Sequence, residues 1–113
     1  MNLQQLLHNN ILFDSHSHFS DLTEDPESAI KRAKDNNIEY VIDIAVDLKN
    51  AIKVLENSKR FSPNIIPTAG IHPEILIPGS DLYDPKMNIL SLKRELKQLE
   101  SFVVDNDISM IGE

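Results

Sequence analysis

Ile11-Leu12-Phe13-Asp14-Ser15-His16-Ser17-His18 is the stretch from which the fold follows. A short apolar run turns abruptly polar, and two imidazoles stand two positions apart. Side chains alternate along extended backbone, so residues i and i+2 share a side. His16 and His18 can therefore bind one cation from one face, with a spacing unlike the i, i+4 pair used on helices. Without a ligand they would be two loop histidines and nothing more. Ser15 and Ser17 read as hydrogen-bonding spacers. Asp14 either orients the first histidine as an acceptor or terminates the strand.

Downstream the pattern alternates between helix-like and strand-like segments. Asp25-Pro26-Glu27 gives an N-cap, a proline at the first helical position and an acid in the first turn. Ile30, Ala33 and Lys34 continue the helical spacing, and Asn36-Asn37 is the stop. Tyr40 to Val46 is rich in β-branched residues and reads as a buried strand. Asp43 and Asp47 flank its end, Asp47 as the cap of the next helix. Leu48, Ala51, Ile52 and Leu55 mark one face of that helix, which Pro63 closes. Ile65 to Ile71 is a third strand, weakened by Pro67 and Gly70. A loop from His72 to Asp84 follows. Asp84-Pro85 is expected to open a long helix with the apolar stripe Ile89, Leu92, Leu96, Leu99 and Val103. Ile108 to Ile111 is a fourth strand.

Strands alternating with helices mean a parallel sheet with crossover connections. Two architectures compete: a small open doubly wound sheet, and part of a (β/α)8 barrel, which needs about 250 residues when complete. Length favours the first. The polar residues favour the second, because three strand ends carry groups able to ligate metal or move protons: Asp14 to His18, His72-Pro73 and Gly112-Glu113. Barrel enzymes place their chemistry at the carboxyl ends of strands, whereas open sheets typically use one switch point. Glu113 is a candidate bridging carboxylate or an ordinary terminal acid. His72 either contacts a substrate phosphate or is a plain strand-end histidine. His8 stands in a leader without polar partners.

The 113 residues suffice for one small domain, and 41% apolar with 26% charged residues is the composition of a soluble globular chain. No apolar run approaches the roughly 18–20 residues needed to span a membrane. Met1 to Asn10 holds no Lys or Arg, so it is not a secretory signal, and a cytoplasmic location is the default. With no cysteine, any metal must sit on His, Asp or Glu. The formal net charge of -7 argues against a dedicated nucleic-acid-binding surface. An acidic protein can still act on a phosphodiester when bound cations supply positive charge locally.

Three segments together carry a family resemblance. Phe13-Asp14-Ser15-His16-Ser17-His18-Phe19 resembles the opening Asp-Thr-His-x-His-Leu signature of TatD-type hydrolases. Thr68-Ala69-Gly70-Ile71-His72-Pro73 resembles their Gly-x-His-Pro segment, and Ile111-Gly112-Glu113 the start of their Ile-Gly-Glu-x-Gly-Leu-Asp segment. The three occur in the family's order and cover the chain from about Ile11 to Glu113. The resemblance implies the N-terminal half of a (β/α)8 barrel, with about four strands and three helices over residues 11–113 behind a leader over 1–10. It implies divalent cations, two per complete site (Mg2+, Mn2+ or Zn2+), and hydrolysis of phosphodiesters by a metal-bound water or hydroxide, with DNA as the substrate. His16 and His18 become ligands of one metal, Glu113 a carboxylate shared by both, and His72 a neighbour of the site. No membrane or obligate protein partner is expected.

The chain also departs from the family pattern. The leader is longer than usual, the acid after the histidine pair (Asp21) comes one place late, and the Glu74 to Tyr83 loop is longer, as a lid or a surface insertion. The family's later ligands, two histidines and an aspartate, lie beyond the fourth strand. The expectation is therefore a fragment with little hydrolase activity by itself. Two other readings remain. A phosphoesterase of the polymerase-and-histidinol-phosphatase type also opens with His-x-His, but the missing Asp-Gly pair and the Gly-Ile-His-Pro segment disfavour it. A non-catalytic α/β module that binds a metal or a partner is separable by metal titration.

Overall fold

A computed structural model describes residues 10–112 of the chain. The expected leader lies almost wholly outside the described residues, and so does Glu113. The described part is α/β. Strand β1 (Leu12–Ser17) leads through a 3-10 turn (Phe19–Asp21) to helix α1 (Pro26–Asp35). Strand β2 (Ile38–Asp43), helix α2 (Leu48–Arg60) and strand β3 (Ile65–Pro67) follow. A second 3-10 turn (Pro73–Leu76) then precedes helix α3 (Ile89–Asp105).

The sheet is parallel with order β1-β2-β3. A fourth strand is represented by one parallel bridge, Ala69 to Ile111. Around it, Gly112 N–H donates to the Ala69 carbonyl at 2.8 Å and Ala69 N–H to the Met110 carbonyl at 3.3 Å. Each strand thus lies beside its predecessor in the sequence, as in the opening β/α units of a barrel. β2 begins two residues earlier than its β-branched core suggests and ends at Asp43, because the chain breaks from the ladder there to build the loop bearing Ile44 to Asp47.

Local signals set the helix starts. Asp25 Oδ2 accepts from Ser28 N–H at 3.1 Å with Pro26 next in line, and Asp47 Oδ1 accepts from Asn50 N–H at 2.6 Å. α1 ends where Asn37 takes a left-handed φ of 64°, which Asn tolerates better than most residues. α3 begins at Ile89 and not at Asp84-Pro85. Asn88 and Ser91 form a reciprocal capping box, Ser91 N–H to Asn88 Oδ1 at 3.0 Å and Asn88 N–H to Ser91 Oγ at 2.8 Å. Asp84 instead closes a local turn on Lys86 N–H at 2.9 Å.

Two apolar clusters cement helices to sheet. Phe19, Ala29, Val41 and Ile65 pack with Ile30, Ile38 and Phe61. Ala45, Ala51, Val54, Ala69, Leu99 and Ile108 pack with Leu48, Ile71, Phe102 and Val103. The buried face of α2 is centred on Ala51, Val54 and Ser58, so Ile52 of the expected stripe is turned outward. Ser58 is tolerated there because its hydroxyl donates to the Leu55 carbonyl at 2.7 Å. In α3 only Leu99 of the stripe is fully buried, and Ile89 and Leu96 are exposed.

Val41 and Asp43 point to the helix side. By alternation Tyr40 points to the opposite face of the sheet, where the Phe13 ring stacks on it with centroids 4.8 Å apart. Phe13 is 61% exposed, so this inner face is uncovered among the described residues. No described helix is long and apolar enough to cross a membrane.

Candidate metal and phosphate site

His16 and His18 stand at the carboxyl end of β1, and His72 follows the carboxyl end of β3. The rings of His16 and His18 have centroids 5.3 Å apart at an interplanar angle of 80°. Asp14 Oδ1 accepts the His16 backbone N–H at 3.2 Å, so Asp14 holds the first histidine through its main chain.

His18 is fixed through its ring. Its Nδ1 lies 3.0 Å from the Ile44 carbonyl oxygen, just beyond β2. A carbonyl can only accept, so Nδ1 carries a proton, and Nε2 is the atom through which this ring would bind a cation. Metal-bound histidines are commonly oriented in this way, by donating the other ring N–H to a carbonyl or carboxylate.

His72 takes the opposite tautomer. Its backbone N–H donates at 2.7 Å to the carbonyl of Val46, two residues past Ile44 in the loop after β2. Its Nδ1 accepts the Glu74 backbone N–H at 3.1 Å. The proton of its neutral ring is therefore on Nε2, where it can be donated. The loop after it folds back on itself: Ile75 is buried, and Asp84 N–H donates to the Ile75 carbonyl at 3.0 Å.

Under this rim lies a polar contact set that sequence reading passed over. Asp43, the last residue of β2, has 0% exposure. Its Oδ1 accepts Ser20 N–H at 3.2 Å and its Oδ2 lies 2.5 Å from Ser20 Oγ. Asn57 of α2 donates to the same Ser20 hydroxyl at 2.9 Å. Burial pushes the Asp43 carboxyl above the ordinary carboxylate range, against the opposing pull of the Ser20 hydrogen bonds. Ser20 and Asn57 stand 23 and 37 positions from their partners, which no local pattern could reveal. Asp21 accepts from Asn50 Nδ2 at 3.1 Å, tying the turn to α2 a second time.

Thr68, 1% exposed, staples β3 to β2: its hydroxyl donates to the Asp43 carbonyl and accepts Ala45 N–H, both at 3.0 Å. Gly112 passes directly over it. A Cβ there would lie 2.8 Å from Thr68 Oγ1 and 3.1 Å from Ile44 Cγ2. The glycine before Glu113 is thus required by close approach.

Two imidazoles two positions apart, one with its ring fixed by a backbone carbonyl, fit as part of a nitrogen and oxygen donor set for a divalent cation. Among the described residues no group of three or more His, Cys, Asp or Glu comes together to hold a metal, and the expected third ligand, Glu113, follows the last described residue. The family model described as TatD related DNase matches residues 13–113. No curated protein matches the chain.

Proposed function

The chain belongs to the TatD-related DNase family, and on that premise we propose that it serves the hydrolysis of DNA phosphodiester bonds, with His16, His18 and Glu113 holding divalent cations and His72 meeting the substrate phosphate. Family membership by itself makes it a metal-dependent hydrolase in general. The observation that best supports the finer reading is the bond from His18 Nδ1 to the Ile44 carbonyl, the kind of contact by which metal-binding histidines are commonly oriented.

When bound, the cations would lower the pKa of water and offset charge on the phosphate. The protein's own groups do the rest. Asp14 holds the His16 main chain, and the Ile44 carbonyl holds the His18 ring. His72 Nε2–H is a donor suited to a phosphate oxygen, with its ring fixed by Glu74 N–H. Carboxylate and imidazole donors without thiolate suit Mg2+, Mn2+ or Zn2+.

Titration of Mn2+ or Zn2+ into the chain tests the reading. Binding is expected, and His16→Ala or His18→Ala should weaken it by far more than the roughly 10–100-fold typical of groups that merely orient a ligand. Any cleavage of a DNA oligonucleotide should fall in parallel. Absence of metal binding, or cleavage that survives His18→Ala, overturns the assignment. His72→Ala should leave metal affinity unchanged and weaken binding of a DNA phosphate.

A further inference from the structure

Asp43 is a costly residue to keep where it is. A carboxylate removed from water loses the hydration that stabilises its charge unless strong partners replace it. Its replacement partners both come from one residue, Ser20, whose backbone N–H and hydroxyl lie on its two oxygens at 3.2 and 2.5 Å. Ser20 is two positions past His18. The residue after Asp43, Ile44, supplies the carbonyl that takes the His18 Nδ1–H at 3.0 Å. Consecutive residues at the end of β2 therefore grip residues 18 and 20 together, one by its ring and one by its main chain and hydroxyl. Asn57 of α2 closes the arrangement by donating to Ser20 Oγ at 2.9 Å. Strand, turn and helix thus meet at a single buried hydroxyl.

The Ile44 bond alone would leave His18 poorly held. An imidazole on a short turn keeps its ring orientation only if the backbone beneath it stays put, and the backbone from Phe19 to Asp21 is one 3-10 turn. We infer that Asp43 is the positioning residue of this site: by binding Ser20 it pins the turn that carries His18, so that the His18 ring stays on the Ile44 carbonyl with Nε2 turned to the cation. The inference rests on the reading of His18 as a metal ligand. Asp43 touches neither cation nor substrate, and it acts through Ser20.

The test uses the full chain and three variants. Asp43→Asn keeps the shape but cannot accept on both atoms. Ser20→Ala removes the hydroxyl and keeps the backbone bond. Ser58→Ala removes a buried hydroxyl elsewhere on α2 and serves as the control. Zn2+ affinity is measured by calorimetry, and the His18 tautomer is read from long-range 1H–15N NMR spectra of the metal-free chain. Zn2+ affinity should fall about 10-fold or more in Asp43→Asn and Ser20→Ala, and hold in Ser58→Ala. His18 should pass from a single Nδ1–H tautomer to a mixture in the first two variants. Unchanged affinity and tautomer in both overturn the inference. A parent chain that binds no Zn2+ overturns the metal reading instead, and the tautomer comparison then decides the positioning role alone. Should Asp43→Asn not fold, Ser20→Ala carries the test.

Discussion

Asp43 makes a prediction in pH. Burial raises its carboxyl pKa in the folded chain, so between the unfolded value and the raised one the folded state holds a proton that the unfolded state has released. Stability then falls as pH rises through that interval. Urea midpoints measured from about pH 4 to about pH 7 should show this slope in the parent chain and lose it in Asp43→Asn. A parallel slope in both chains refutes the assignment. Gly112 gives a second residue-scale prediction. Gly112→Ala must push the fourth strand off Thr68 and Ile44, and should cost about 1–3 kcal/mol in thermal or chemical unfolding. The histidine pair was legible because its signal is local, two residues in one strand. The tautomers of His18 and His72 were not, since each depends on a partner fixed by the fold: the Ile44 carbonyl for one, and the turn at Glu74 for the other. Asp43 read as one more acid at a strand end for the same reason.

Among the elements, cap chemistry was the most reliable guide and also the source of the clearest difference. Asp25-Pro26 and Asp84-Pro85 are the same signature in the sequence. Only the first caps a helix, because Asn88 and Ser91 satisfy each other four residues further on and start α3 there. Asp47→Ala should therefore lower stability by about 1 kcal/mol. Asp84→Ala should stay within about 0.5 kcal/mol of the parent. Thermal melts of the two variants distinguish them, and a larger loss at Asp84 would restore it as the cap. The apolar stripes were found but rotated. Periodicity locates a face to within a residue or so, and the choice between Ile52 and Val54 on α2 is made by what packs opposite.

The described residues form a parallel sheet with helices packed against it in two apolar clusters. The parallel sheet with its helices followed from alternation alone. The choice of a barrel portion over an open sheet followed from the strand-end histidines and Glu113 rather than from length. Among the described residues the inner face and the β1 edge are uncovered, which has a physical cost: Phe13 is 61% exposed and Ile111 70% exposed. Exposed apolar surface beside an unpaired strand invites association. The chain should accordingly show concentration-dependent assembly by light scattering or sedimentation, reduced by Phe13→Lys. Concentration-independent monomers would refute this.

The strand order has a kinetic consequence. Because among the described residues each new strand pairs with the strand made before it, every new β/α unit finds its docking edge already in place as the polypeptide leaves the ribosome. Each pairing closes a loop of one β/α unit, so loop-closure entropy is met one unit at a time. Assembly can then run from the N-terminus as a vectorial, unit-by-unit addition. Pulsed hydrogen exchange during refolding would record this as protection reaching the amides of β1 and β2 before that of Gly112.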